Sequence, residues 1–153
     1  MKRQVFLGGS CDPTTWRQKM AIPLLEQAGA AYYNPQVADW HEGLIAQEAD
    51  AKAESEFLLF VIDGQTRAIA SILEATEYIC TGRNVLLVVE RISEGIQIDG
   101  QPITGRQLKD LNRARSFLLD LTNRYSNVSV FSSVQSAIRA AADRLTETQL
   151  VKA

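Results

Sequence analysis

The sequence predicts a single α/β domain with a doubly wound, five-stranded parallel sheet. Its centre is the stretch from Phe57 to Val89, in which a helical pattern separates two apolar runs, Phe57–Ile62 and Val85–Val89. Each run has the length of a strand and is too short for a stable helix. Strand-like and helix-like stretches alternate along the whole chain, which is typical of a sheet with helices on both faces. The predicted class is therefore a flavodoxin-like or Rossmann-like domain.

The first predicted strand, Gln4–Leu7, ends at two glycines. Glycine at the end of a strand permits a tight turn and lets a ligand approach the backbone closely. A helix is predicted over residues 16–28, and Pro23 within it predicts either a kink or a start near Ile22. The second strand, Ala31–Tyr33, follows this helix and ends in an Asn-Pro-Gln loop.

The remaining predicted elements surround the central βαβ unit. A helix with one solvated face is predicted over residues 40–54. The stretch Glu90–Gly105 is rich in glycine, which predicts a long loop or small hairpin, and such loops often bind ligands. The last elements are a helix, a strand and a helix at Arg106–Arg124, Val128–Phe131 and Val134–Leu145. The domain is thus predicted to span residues 1–147, followed by a flexible tail at 148–153.

Composition limits the classes of partner. The formal net charge of −2 and the pI near 5.4 provide no basic surface, so nucleic acid is not an expected partner. No apolar stretch approaches the roughly 20 residues that span a bilayer, so no membrane contact is expected. Cys11 and Cys80 are far apart and the chain has one histidine, which disfavours a disulfide framework or a metal cage. We therefore expect a cytoplasmic protein that binds small molecules without a metal or cofactor.

Carboxylates and amides are predicted at the edge where ligands of such sheets bind, beyond the carboxyl ends of the strands. Asp63 and Glu74 lie there, with Glu48 from the preceding helix and the amides of Asn34 and Gln36. The P-loop lysine, the GxSxG elbow and the GxGxxG fingerprint are missing from the sequence. Carboxylates and amides suit attack of a carboxylate at a sugar's anomeric carbon. For Glu74 a solvated helix face, and for Asp63 a turn or helix cap, remain open alternatives.

Several segments in sequence order resemble the nucleoside 2-deoxyribosyltransferase family. They extend over most of the chain as far as Asn112. They are VFLGGS at 5–10, Asn34-Pro35-Gln36, Glu74 followed by Gly82–Val89, Gly100–Thr104 and Leu108–Asn112.

The resemblance implies four roles for acidic and amide side chains. Glu74 takes the place of the catalytic nucleophile, and Asp63 that of the aspartate that binds the sugar hydroxyls. Glu48 takes the place of the acid that protonates the leaving base, with Asp50 as its nearby competitor for contact with the base. Gln36 resembles the family's base-contacting amide.

Two departures from the family pattern bear on the site. Phe6 occupies the first-strand position at which the family has a tyrosine near the nucleophile, so Ser10, Tyr32 or Tyr33 would have to orient Glu74. Thr104 stands where a neighbouring subunit of the family contributes an asparagine to the sugar. The resemblance therefore implies a homo-oligomer with shared active sites, in which Phe6, Gly8 and Gly9 border the bound substrate.

The resulting expectation is an enzyme of nucleotide salvage. It would exchange the purine or pyrimidine base of a 2′-deoxynucleoside for a free nucleobase through a deoxyribosyl-glutamate intermediate. One alternative is an N-glycosidase acting on nucleosides or nucleotides, for which Arg17 or Arg106 would supply charge to a 5′-phosphate. A second alternative is a non-catalytic module that senses nucleotides.

Overall fold

The computed structural model describes the backbone of residues 1–151 and the side chains of residues 1–147. The predicted tail at 148–153 lies outside the fully described residues. The strands are β1 Lys2–Gly9, β2 Ala31–Tyr33, β3 Ser55–Ile62, β4 Val85–Val89, β5 Gln97–Ile98, β6 Gln101–Pro102 and β7 Val128–Phe131. The helices are α1 Ile22–Ala28, α2 Leu44–Glu54, α3 Ile69–Cys80, α4 Gly105–Thr122 and α5 Val134–Val151.

Five strands form one parallel sheet in the order β2-β1-β3-β4-β7. β2 lies on one side of β1, whereas β3, β4 and β7 follow on the other side. The direction in which successive strands are added therefore reverses between β1 and β3, and this place is the switch point of the flavodoxin-like fold. This confirms the predicted fold class. The switch point lies between two strands that are buried on both faces, and the loops after them meet at the carboxyl edge of the sheet.

Alternate residues of each central strand face two apolar layers. Val5 and Leu7 pack with residues of α1 and α5 on one face of the sheet. Phe6 faces the opposite layer, which includes residues of α2, α3 and α4. Side chains alternate across a strand, so each strand contributes to both layers. The helices on both faces leave the carboxyl edge open for a site.

The predicted helix over residues 16–28 has two parts. One turn of π-helix, Arg17–Ala21, precedes α1, which begins at Ile22 as one of the two alternatives predicted. Pro23 lies in the first turn of α1, directly after the π-turn.

Arg17 is the first residue of the irregular turn. Its fully buried guanidinium donates to the carbonyl oxygens of Leu7 at 2.9 Å, Gly9 at 2.9 Å and Ser10 at 3.1 Å. Burial lowers the pKa of Arg17 from its ordinary value. The side chain thus holds the end of β1 in place and is fully engaged with main-chain carbonyls.

The stretch after β4 forms the small hairpin that was one of the predicted forms. β5 and β6 pair antiparallel, and a separate apolar cluster of Ile92, Ile98 and Ile103 attaches the hairpin to Leu108 and Leu111 of α4. In the part of the chain that the structure describes, no helix is both long and apolar enough to cross a membrane.

Candidate active site

A cavity of about 90 Å³ lies at the carboxyl edge of the sheet beside the switch point. Five of the predicted site residues meet there: Phe6, Gly8 and Gly9 from β1, Glu48 from α2 and Glu74 from α3. The other lining residues are Cys11, Pro35, Trp40 and Lys52. The cavity therefore combines two carboxylates and one ammonium with an apolar wall.

Helical spacing decides between the two acids of α2. Glu48 and Lys52 are four residues apart and therefore share one face of the helix, and both line the cavity. Asp50 is exposed and lies outside the cavity lining. Of the two alternatives, Glu48 is the acid that lines the same cavity as Glu74.

Glu74 flanks the buried stripe of α3. Ser71, Ala75 and Ile79 are the buried positions of this helix, and the Glu74 side chain, 37% exposed, lies beside them. Its Oε2 accepts a hydrogen bond from Lys52 Nζ at 2.6 Å. Glu74 is thus paired with a lysine at the cavity wall and is partly exposed. Its assignment as nucleophile and the alternative of a solvated helix residue paired with a nearby lysine both stay predictions.

Lys52 is the charged cavity residue that the sequence interpretation missed. Its side chain is only 11% exposed, and it bonds to Glu74 across the gap between α2 and α3. The available signal was its four-residue spacing from Glu48, which places the two side chains on one helix face. That spacing alone does not reveal which residue of α3 lies opposite.

The sequence profile described as "Nucleoside 2-deoxyribosyltransferase like" matches residues 2–92. The chain belongs to this nucleoside 2-deoxyribosyltransferase-like family. The match includes every residue that lines the Glu74 cavity, and it confirms the resemblance noted in the sequence. No curated protein sequence matches the chain.

A solved structure described as a conserved protein from Enterococcus faecalis V583 has the same fold. The two chains are 18% identical, the alignment covers 92% of this chain and 98% of the other, and the TM-score is 0.53. At this identity the similarity supports the fold alone.

Asp63, the residue that the family resemblance assigns to the sugar, lies outside the Glu74 cavity. It is 2% exposed and lines a separate cavity of about 490 Å³. Its Oδ1 accepts from the backbone N–H groups of Gln65 and Thr66, both at 2.8 Å, and its Oδ2 accepts from Thr66 Oγ1 at 2.9 Å. In this structure the carboxylate therefore stabilises the loop after β3, and its assignment to the sugar hydroxyls stays a prediction.

Gln36 holds the loop after β1 in place by hydrogen bonds. Its Nε2 donates to the carbonyl oxygens of Cys11 at 2.8 Å and Thr14 at 3.2 Å. Its buried Oε1 has no hydrogen-bond partner among the described residues. Gln36 thus fixes the loop that carries Cys11 and retains an unused acceptor.

None of the three candidates for orienting Glu74 bonds to its carboxylate in the described residues. Tyr32 donates to Glu26 at 2.9 Å, and Tyr33 stacks on Phe6 with ring centroids 5.4 Å apart. Ser10 Oγ lies 2.9 Å from Thr66 Oγ1 and donates to it, because the hydroxyl proton of Thr66 is given to Asp63. In the described part of the chain, the group that bonds to the Glu74 carboxylate is Lys52.

Glycine is required at Gly8 and Gly9 by the neighbouring strand. A Cβ atom at Gly8 would lie 2.7 Å from the Phe60 ring, and one at Gly9 would lie 2.4 Å from the carbonyl oxygen of Val61. Gly9 also has φ +118°, a conformation that other residues rarely adopt. The glycines therefore allow β1 to lie close to β3 beneath the cavity.

Two further predicted groups lie away from the cavity. Thr104 is exposed immediately before α4, and Arg106 lines a different groove with Lys109 and Arg113. Among residues 1–147, no group of three or more His, Cys, Asp or Glu side chains is arranged to hold a metal ion.

Cys11 provides a chemical probe of the cavity wall. Burial raises the pKa of its thiol, an effect that Arg17 partly opposes and that Glu48 and Glu74 reinforce. A raised pKa leaves less thiolate at a given pH. We expect iodoacetamide at pH 8 to alkylate Cys11 more slowly than the exposed Cys80, measured by peptide mass spectrometry over time. Equal rates at the two thiols would contradict this.

Proposed function

We propose that the chain is a nucleoside 2′-deoxyribosyltransferase that exchanges the base of a 2′-deoxynucleoside for another purine or pyrimidine. The observation that carries the proposal is the meeting of Glu74, Glu48 and Lys52 in one cavity at the carboxyl edge. Two carboxylates on opposite sides of a glycosidic bond are the usual means of a double displacement at an anomeric carbon. The family match supports the same chemistry.

In the first step, Glu74 attacks C1′ of the deoxyribose. Lys52 holds Oε2, whereas Oε1 has no hydrogen-bond partner among the described residues, so Oε1 is the attacking atom. The C1′–N bond breaks as the Oε1–C1′ bond forms, and its electron pair leaves with the base. Glu48 delivers a proton to the departing nitrogen. The product is a deoxyribosyl ester of Glu74 and a free base.

In the second step, a different base attacks C1′ from the face that the first base left. The new C1′–N bond forms, the ester bond breaks, and Glu74 regains its negative charge. Glu48 takes the proton that the incoming nitrogen loses. Two displacements at the same carbon retain its configuration.

The size of the cavity implies movement of its outer wall. A volume of about 90 Å³ is well below the roughly 300–1,000 Å³ of ligand pockets. Pro35 and Trp40 belong to the irregular segment between β2 and α2. We propose that this segment opens for substrate and then closes over the base, with the Trp40 ring against it. Closure excludes water from the ester and so favours transfer over hydrolysis.

The proposal includes a homo-oligomer with shared sites. Thr104 is exposed and lies outside the lining of the Glu74 cavity of its own chain. Such a residue is available to contribute its hydroxyl to the sugar site of a second copy.

The test is incubation of the protein with deoxyinosine and free adenine, with both products followed by chromatography. Formation of deoxyadenosine together with hypoxanthine is the expected result. Hypoxanthine and free deoxyribose without deoxyadenosine would show an N-glycosidase instead. Absence of both products would favour a module that only binds nucleotides.

The two acids of α2 provide a matched test of the proton donor. We expect Glu48→Gln to lower kcat about 10²-fold or more, because an amide cannot protonate the leaving base. Asp50→Asn removes the same charge from an exposed position of the same helix and is expected to leave the rate unchanged. Steady-state rates of base exchange measure both variants, and a larger loss in Asp50→Asn would contradict the assignment.

A further inference from the structure

Lys52 is buried beside the proposed nucleophile in a surrounding that fixes its position. Its side chain is 11% exposed, whereas that of Glu74 is 37% exposed. The ammonium lies 5.5 Å from the ring centroid of Phe6 and 5.9 Å from that of Tyr78. Aromatic faces attract a cation, so both rings and the Glu74 carboxylate hold the ammonium in one place.

The end of the helix that carries Lys52 is also held. Arg83 Nη2 donates to the carbonyl oxygens of Lys52 at 2.8 Å and Ser55 at 2.7 Å. The Arg83 guanidinium at this position satisfies carbonyls that the end of α2 leaves unpaired, and its positive charge interacts favourably with the dipole of α2. The Arg83 guanidinium lies 5.8 Å from the Tyr78 ring. Lys52 is therefore anchored at its backbone as well as at its ammonium group.

We propose that Lys52 is the positioning residue of Glu74 and the counter-ion that Glu74 and Glu48 share during base exchange. This inference rests on the proposed function. The bond to Oε2 stops the carboxylate from rotating and directs Oε1 into the cavity. A misplacement of about 1 Å at a reacting group can cost about 10²-fold in rate, so such a bond affects kcat directly.

The shared role follows from the charge balance of the first step. Glu74 begins as a carboxylate and becomes a neutral ester, while Glu48 loses its proton and becomes a carboxylate. The negative charge of the cavity therefore moves from α3 to α2. Lys52 bonds to Glu74 and lies one helical turn from Glu48. Its positive charge is beside a carboxylate before and after the step, and no unpaired charge is left in the cavity.

Lys52 also explains how the site works with Phe6 on β1. A phenyl ring at that position cannot donate a hydrogen bond to the nucleophile. In this chain the ring instead lies near the ammonium, and the ammonium supplies the hydrogen bond to Glu74.

The test compares two substitutions at position 52. Lys52→Met keeps an unbranched apolar stem between the rings and removes the charge. We expect it to lower kcat about 10²-fold while the KM for deoxyinosine changes less than about threefold, since the lost contact acts on the reacting group. Lys52→Arg retains a cationic donor and is expected to recover kcat to within about tenfold of the original enzyme. Lys109→Met, an exposed lysine of α4, is the control for loss of a positive charge.

Circular dichroism first establishes that each variant is folded. A folded Lys52→Met with the original kcat would overturn the inference, and so would a folded Lys52→Arg no faster than Lys52→Met. If the original protein exchanges bases and Glu74→Gln does not, either result refutes the role of Lys52 and leaves the proposed function intact. If the original protein does not exchange bases, the proposed function itself fails.

Discussion

Glu74→Gln is expected to abolish base exchange and to leave a folded protein. The amide has no negative charge and cannot form the glycosyl ester, so both displacements are lost. Removal of a catalytic nucleophile costs several orders of magnitude, and we expect kcat to fall at least about 10⁴-fold. No other carboxylate lines the cavity on the α3 side among the described residues, so the loss has no local substitute.

The effect on stability should be moderate because of the positions of the two paired groups. The Glu74 side chain is 37% exposed and that of Lys52 is 11% exposed, so the substitution removes the counter-ion of a largely buried ammonium. The Gln oxygen can still accept the hydrogen bond from Lys52. We therefore expect the free energy of unfolding to fall by about 1–3 kcal/mol, a loss that leaves the protein folded.

The matched control is Glu77→Gln. Glu77 belongs to the same helix and is exposed, so its substitution removes the same charge away from the cavity. Both variants are assayed for deoxyadenosine formation, and urea unfolding is measured in parallel. Substantial exchange by folded Glu74→Gln would refute its role as nucleophile, and equal losses in the two variants would indicate a non-specific effect of charge.

Local pattern was sufficient to locate the central unit of the fold. The bounds of β4 and β7 agree with the predicted strands. β4 is a continuous apolar run bounded by polar residues, and β7 is a short apolar run that contains one polar residue, Ser129. These features depend on residues that are close in sequence. The inward face of α3 does not follow from its apolar residues, because Ile69 and Leu73 are exposed whereas Ser71 and Ala75 are buried.

The residues that sequence reasoning missed depend on contacts between distant segments. Lys52 meets Glu74 only because α2 and α3 pack side by side. The engagement of Asp63 by its own loop depends on a turn geometry that allows two backbone N–H groups to reach one oxygen. The π-turn begins at Arg17, whose burial runs against the usual exposure of arginine. None of these contacts has a periodic signal along the chain.

The second buried arginine carries the largest expected effect on stability. Arg115 of α4 is fully buried. It donates to the carbonyl oxygens of Asp63 at 2.6 Å, Glu90 at 2.8 Å and Thr66 at 3.0 Å. Burial lowers the pKa of Arg115, and the nearby Asp63 carboxylate opposes that shift. This one side chain therefore ties α4 to the loops that follow β3 and β4.

Arg115→Met is expected to lower the free energy of unfolding by at least about 3 kcal/mol, because a buried carbonyl left without a donor costs about 1–3 kcal/mol. For a chain of this size that loss corresponds to a fall in Tm of roughly 6–12 °C. Thermal and urea unfolding measure both quantities.

Arg113→Met, at an exposed position of the same helix, should change the free energy of unfolding by no more than about 0.5 kcal/mol. A loss below about 1 kcal/mol for Arg115→Met would mean that water replaces the guanidinium at those carbonyls, and that α4 does not depend on Arg115 to hold the carboxyl edge of the sheet.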